Sequence, residues 1–352
     1  MSKFHSLKIK SIKRETKDAV SITFDVPNEL KTEFQFVAGQ YITLKTTIDD
    51  KEVRRAYSLC SSPNSGEITI AVKQIKGGNF SVFATTKLKE GDSVEVSKPE
   101  GKFVLKTNLS NNKNYLAFAA GSGITPIMAM IKAVLEIEKN STFTLVFGNK
   151  STYETIFFDE INQLKKQYNT RFFVQYVFSK EQPKDSLFGR IDSSIVNYIL
   201  KQRKVIFNEV FLCGPEQMII TVKDTLLVKD YAENNIHFEL FKSKFKKEEN
   251  KMNENSKLDG ESEITILLDD EKTTFKMKQS ERILTAALAE DLDAPYSCQG
   301  GICSSCMAKV VEGKAMMKNN TILSEEEVTE GYILTCEAHP TTPKIVIDYD
   351  DV

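Results

Sequence analysis

Between Cys298 and Cys306 the chain reads CQGGICSSC, three of its six cysteines within nine residues. The spacing is C-x4-C-x2-C, and a fourth cysteine, Cys336, follows in ILTCEAHP. Little constrains a fold as hard as four thiolates that must meet in one small volume. Two irons and two bridging sulfides need four such ligands, three from a tight loop and one brought back from later in the chain. Cys298, Cys303, Cys306 and Cys336 have the spacing of a [2Fe–2S] site. Gly300, Gly301, Ser304 and Ser305 let the backbone approach and aim N–H groups at the sulfurs. A structural zinc ion on four cysteines is the competing reading, but such sites usually come as two C-x2-C pairs.

The rest of the chain must build a home for that loop. At 352 residues it has room for two or three domains. A formal net charge of −2 gives no sign of nucleic acid or an anionic membrane as partner. The opening MSKFHSLKIKSIKRETKDAV is basic with no apolar h-region behind it, so no signal peptide is read. No apolar run nears the roughly 18 residues of a membrane span. The expectation is a cytoplasmic protein without membrane contact, whose thiols stay reduced and free to ligate.

Residues 1–108 carry short strand-like runs, SLKIKSIKRE, VSITFDV, QYITLKTTI, RRAYSLC, EITIAVKQI and DSVEVSKPEG, with turn signals at PNSG and EGD. Such punctuation suggests an antiparallel β-barrel. In 109–241, strands NYLAFAAG, TFTLVFG, RFFVQYVFS, EVFLCG and IHFELF alternate with helical stretches. That is the pattern of a doubly wound α/β domain. Residues 242–263 are charge-balanced and almost free of apolar side chains, and are read as a linker. In 264–352 a hairpin, a helix ERILTAALAED with Ser280 as N-cap, the cysteine loop, a capping box at Ser324 and Glu327, and a last strand KIVIDYD make a small α+β domain of β-grasp type.

Two nucleotide motifs precede the linker. Arg55-Ala56-Tyr57-Ser58 ends an early strand and reads either as an ordinary strand end with a surface arginine or as a flavin site: an arginine to hold a pyrophosphate, a tyrosine to stack on an isoalloxazine, a serine hydroxyl for the flavin N5 edge. Gly78-Asn79-Phe80-Ser81 opens a helix, either as a phosphate cradle or as a turn with a helix cap. Gly121-Ser122-Gly123-Ile124-Thr125-Pro126 follows a buried strand and starts a helix, as a dinucleotide loop does, with Pro126 suited to the first turn. Cys213-Gly214-Pro215 ends the fourth strand, where a small thiol could lie beside a nicotinamide. The second strand ends Phe147-Gly148-Asn149-Lys150, without an acid for a ribose hydroxyl, while Lys150, Ser179 and Lys180 suit a 2′-phosphate. NADPH is therefore expected ahead of NADH.

RxYS, GxxS, GxGxTP and CGP, in that order over residues 4–241, resemble the ferredoxin–NADP reductase superfamily, and YSCQGGICSSC with LTCEAHP resembles a plant-type ferredoxin. Reductase first and ferredoxin last is the arrangement of reductase components of multicomponent bacterial oxygenases. Among these the chain is most similar to the reductase subunits of phenylacetyl-CoA ring epoxidases. The resemblance implies FAD, a [2Fe–2S] cluster and NADPH or NADH as cofactors, and electron flow from NAD(P)H through both to an oxygenase. It places Ser58, Cys213 and Glu239 around the flavin–nicotinamide contact. Glu239-Leu240-Phe241 looks like the family's acid-x-aromatic terminus, so Phe241 either shields the flavin or is a core aromatic. Reductases for Rieske or diiron oxygenases or desaturases, and a redox sensor that turns nothing over, are the alternative readings. An oxygenase in its own right does not fit three histidines and no Glu-x-x-His pair.

Overall fold

A computed structural model describes residues 4–241, 260–320 and 322–352. The chain divides into two compact units, Phe4–Phe241 and one holding the described residues from Gly260 onward.

The first unit opens with β1 (Phe4–Thr16), β2 (Ala19–Asp25), β3 (Tyr41–Ile48), β4 (Lys51–Ser58), β5 (Ile68–Lys73), α1 (Asn79–Thr86) and β6 (Ser93–Ser97). The strands pair antiparallel in the order β4-β3-β6-β1-β2-β5. A bridge from Leu59 to Ile70 returns the end of β4 to β5 and curls the sheet into a barrel. Alternation sets the inside: Leu7, Ile9, Ile22, Ile42, Leu44, Ile68, Ile70 and Val72 fill one core. Ala71 and Lys73 of β5 therefore point outward, and Ala71 joins a different core, that of the following domain.

That domain runs β7 (Asn114–Ala120), α2 (Ile124–Ile137), β8 (Thr142–Asn149), α3 (Phe158–Gln167), β9 (Phe172–Phe178), β10 (Leu187–Phe188), α4 (Ser193–Arg203), β11 (Glu209–Gly214), α5 (Glu216–Leu227) and β12 (Ile236–Leu240). All pairs are parallel, in the order β10-β9-β8-β7-β11-β12. β7 is buried from Tyr115 to Ala119, as a strand covered on both faces must be. Strand order reverses at β7, which lies between β8 and β11. The carboxyl ends of those strands form the crevice where open α/β sheets bind ligands. The two-residue β10 was not foreseen from sequence.

The second unit contains β13 (Glu261–Leu268), β14 (Glu271–Lys278), α6 (Ile283–Ala289), β15 (Met307–Glu312), β16 (Ala315–Met317), α7 (Glu325–Thr329), β17 (Tyr332–Leu334), β18 (Ala338–Pro340) and β19 (Lys344–Asp348). A mixed sheet, β14-β13-β19-β15-β17, shares a core with Ile283, Leu284, Ala286 and Ala287 of α6. The capping box is present: Ser324 accepts from Glu327 N, and Glu327 from Ser324 N. Two expectations need correction. Glu261–Glu263 are not linker but the start of β13, because they pair with Lys276–Lys278; residues 242–259 of the expected linker lie outside the described residues. Ser280 does not cap α6, which begins two residues later than that expectation requires, with Arg282 as N-cap and no side-chain cap bond.

Candidate functional site

Ser58 ends β4 and Glu239 lies in β12, 181 residues apart in sequence, yet the Ser58 hydroxyl donates to Glu239 Oε2 at 3.4 Å. Cys213 stands directly beside Glu239 in the parallel register of β11 and β12. All three are buried. Burial pushes the Glu239 carboxyl up to about 8, against the pull of the Ser58 hydroxyl. Burial and the neighbouring carboxylate also raise the Cys213 thiol. The trio thus presents a protonated acid, a hydroxyl and a neutral thiol at neutral pH, polar groups that need carry no charge.

The Gly121–Pro126 loop lies at the same crevice. Gly121 has φ +56°, the left-handed region, which starts the turn between β7 and α2. Gly123 is required by contact: a Cβ there would come 2.1 Å from the Cys213 carbonyl oxygen. Thr125 donates to Ser122 O at 3.0 Å, and Pro126 is buried in the first turn of α2. Gly214 is similarly hemmed in by Met218 and Ala120, and Pro215 is the N-cap of α5. At the ends of β8 and β9, Lys180 N donates to Lys150 O and Ser179 N to Asn149 O. The Asn149 side-chain nitrogen is buried without a hydrogen bond among the described residues, a spare donor beside the loop. These strand ends are not purely cationic, since Lys150 Nζ lies 3.4 Å from Glu154 and Glu181 accepts from Thr152 N.

Sequence reasoning missed Lys73. β5 packs against the Gly121–Gly123 turn, and Lys73, at its end on the outward face, is partly buried near Glu154 and Lys150. Burial lowers its pKa. It could supply positive charge from the barrel to a pyrophosphate at the loop. Its signal was only the period-2 alternation of β5, which does not say what lies opposite the outer face.

On the flavin side, Arg55 is exposed and its guanidinium donates to Arg54 O at 2.6 Å. Ala56 and Tyr57 are half-buried, and the Tyr57 ring lies 5.5 Å from that of Phe80. Gly78 is the N-cap of α1, with Asn79 its first residue. Ser81 Oγ accepts from Ile75 N at 3.1 Å and so closes the turn before α1, a helix with no side-chain cap bond. Phe241 is partly buried against the core formed by α2 and its neighbours. A guanidinium, an aromatic ring and a helix start on one side of the barrel fit a flavin nucleotide.

In the second unit the four cysteine sulfurs gather. Cys298 is within hydrogen-bonding reach of Cys303 and Cys336, and Cys306 of Cys336. Gly300 N donates to Cys298 Sγ and Gly301 N to Cys336 Sγ, both at 3.3 Å. Gly301 has φ +67°, which turns its amide inward. Thr335 N and Oγ1 both donate to Cys306 O, tying the turn of the fourth cysteine, between β17 and β18, to the loop of the other three. Four soft sulfur donors, two of them already accepting amide hydrogens, fit a [2Fe–2S] cluster.

Known proteins match in the same order. The family model described as oxidoreductase FAD-binding domain matches residues 6–105, oxidoreductase NAD-binding domain 118–224, and 2Fe-2S iron-sulfur cluster binding domain 266–341. The matching 1,2-phenylacetyl-CoA epoxidase subunit from Escherichia coli K12 is 38% identical over 99% of each chain. The ferredoxin reductase component of 3-ketosteroid-9-alpha-monooxygenase from Rhodococcus rhodochrous is 31% identical over 97% of this chain and 96% of its own. The solved structure of phthalate dioxygenase reductase has the same fold, with a TM-score of 0.61 over 98% of both chains at 23% identity. No helix among the described residues is long and apolar enough to cross a membrane. With FAD-binding, NAD-binding and [2Fe–2S]-binding domains on one chain, this oxidoreductase belongs to the family of oxygenase reductase components.

Proposed function

We propose that the chain carries electrons from NADPH to the oxygenase component of a phenylacetyl-CoA epoxidase. The observation that carries this is 38% identity to the E. coli epoxidase protein along 99% of both chains. When bound, FAD and the cluster would supply the conversion between a two-electron nicotinamide donor and a one-electron acceptor. Chemistry of that kind asks the protein for position and tuning.

Arg55 and the start of α1 hold the flavin's phosphates, and Tyr57 packs on its ring. Ser58, Cys213 and Glu239 line the place where nicotinamide and flavin meet, and Glu239 keeps a proton there at neutral pH. Lys73 and the Gly121–Gly123 turn take the nicotinamide cofactor's pyrophosphate, and Lys150, Ser179 and Lys180 its 2′-phosphate. Cys298, Cys303, Cys306 and Cys336 hold the cluster. Six free thiols suit a reducing, cytoplasmic setting.

Reconstitution with a phenylacetyl-CoA oxygenase component tests the reading: NADPH oxidation should couple to epoxide formation. Coupling to a Rieske oxygenase but not to the epoxidase would overturn the partner. Comparing kcat/KM for NADPH and NADH tests the coenzyme, and a clear NADH preference would overturn that assignment. A chain that consumes neither coenzyme with ferricyanide would instead be a sensor.

A further inference from the structure

Next to the fourth cysteine stands a residue that the cluster does not use as a ligand. Glu337 is fully buried. One carboxylate oxygen accepts from Asn319 Nδ2 at 3.1 Å. Among the described residues the other has no hydrogen-bond partner and forms an ion pair with Arg282 Nη2 at 3.6 Å. A buried carboxylate with one oxygen left unbonded is an expensive choice, since desolvation is offset only by good pairing. A glutamine of the same shape could keep the Asn319 bond without that cost. Where the local rule is broken in this way, a compensating gain is expected nearby.

The surroundings say where. A Cβ on Gly301 would come 2.9 Å from Glu337 Cγ and 3.3 Å from Asn319 O, so Glu337 and Asn319 close the space behind Gly301. The amide of that same Gly301 donates to Cys336 Sγ. Lys318 N donates to Glu337 O, and Glu337 N to Leu334 O, which fixes the backbone on both sides. Arg282 is the N-cap of α6, and Leu284 N donates to Thr335 O, one residue before Cys336. Glu337 therefore joins the segment at 318–319, the start of α6 and the cysteine loop. Arg282 itself is 40% exposed, so only one of the two opposite charges is held away from water.

We propose that Glu337 and Arg282 are a pair of opposed, fixed charges that set the cluster's reduction potential, with Glu337 also positioning the Gly301 amide on Cys336. The inference rests on the cysteines holding the cluster. Adding an electron to a centre beside a buried negative charge is disfavoured, and a nearby positive charge offsets this. The two side chains act on the potential with opposite sign. A purely structural brace has no such property: losing either half would disturb the loop in the same sense.

The test is spectroelectrochemical titration of the cluster in the full chain at one pH, with iron and labile sulfide measured on each sample. Glu337→Gln should raise the midpoint potential, Arg282→Gln should lower it, and the double variant should return close to the parent. Arg282→Lys, which keeps the charge, should stay near the parent. Should Glu337→Gln fail to retain its cluster, Arg282→Gln decides alone, and it must move the potential down. Loaded variants with unchanged potentials, or with both single variants shifted the same way, would overturn the proposal. A parent chain without two irons and labile sulfide would instead remove the cluster reading on which it rests.

Discussion

At the scale of single residues, Glu239 carries the clearest chemical consequence. Its folded pKa of about 8 lies above the ordinary value of 4.5, because folding takes the carboxyl out of water. Below the unfolded value both states are protonated and the group costs nothing. As pH rises the unfolded chain releases this proton first, so stability falls until the folded carboxyl ionises near 8. Glu239→Gln, neutral at every pH, should match the parent near pH 4 and exceed it at pH 8.5, by on the order of a few kcal/mol. Urea denaturation at the two pH values measures this, and equal stability at pH 8.5 would contradict it. Cys303→Ser bears on the other centre. It should leave flavin reduction and ferricyanide turnover intact while abolishing delivery to a protein acceptor. The cysteines were legible in the sequence because metal ligation demands particular atoms at short spacing. Lys73 and Glu337 were not, since what matters about them is what faces them from turns, loops and helix ends distant in sequence.

At the scale of elements, the crossing of α2 over β11 is set by one missing methyl group. Gly123→Ala would drive a Cβ into the Cys213 carbonyl, and either α2 or β11 must shift. Misplacement of about 1 Å at a reacting pair costs on the order of 100-fold in rate. The expected result is a fall in kcat/KM for NADPH of that order with FAD content unchanged. Gly121→Ala meets no atom within 4 Å but must hold φ +56°, so it should cost about 1–2 kcal/mol of stability and less activity. A larger kinetic loss for Gly121→Ala than for Gly123→Ala would contradict the steric account. The long strands and the doubly wound alternation were legible because their apolar periods are sustained. β10, β16 and β18, of two or three residues each, are too short to show a period, and they owe their existence to the neighbour they pair with. Ser280 was a sound cap by composition, but pairing of β14 through Lys278 and the tie from Leu284 to Thr335 set where α6 begins.

At the scale of the whole molecule, each unit has its own core, so one polypeptide joins two separately folded redox modules. A chain ending at residue 249 should therefore still bind FAD and reduce ferricyanide, yet fail to serve the oxygenase. Electrons pass in one order: from NAD(P)H to FAD, then to the cluster, then to the acceptor. Anaerobic stopped-flow mixing with NADPH, followed at flavin and cluster wavelengths together, tests it most directly. Flavin bleaching should come first, cluster bleaching should follow it, and Cys303→Ser should show only the first phase. Cluster bleaching that precedes the flavin, or full oxygenase turnover by the chain ending at residue 249, would contradict the account.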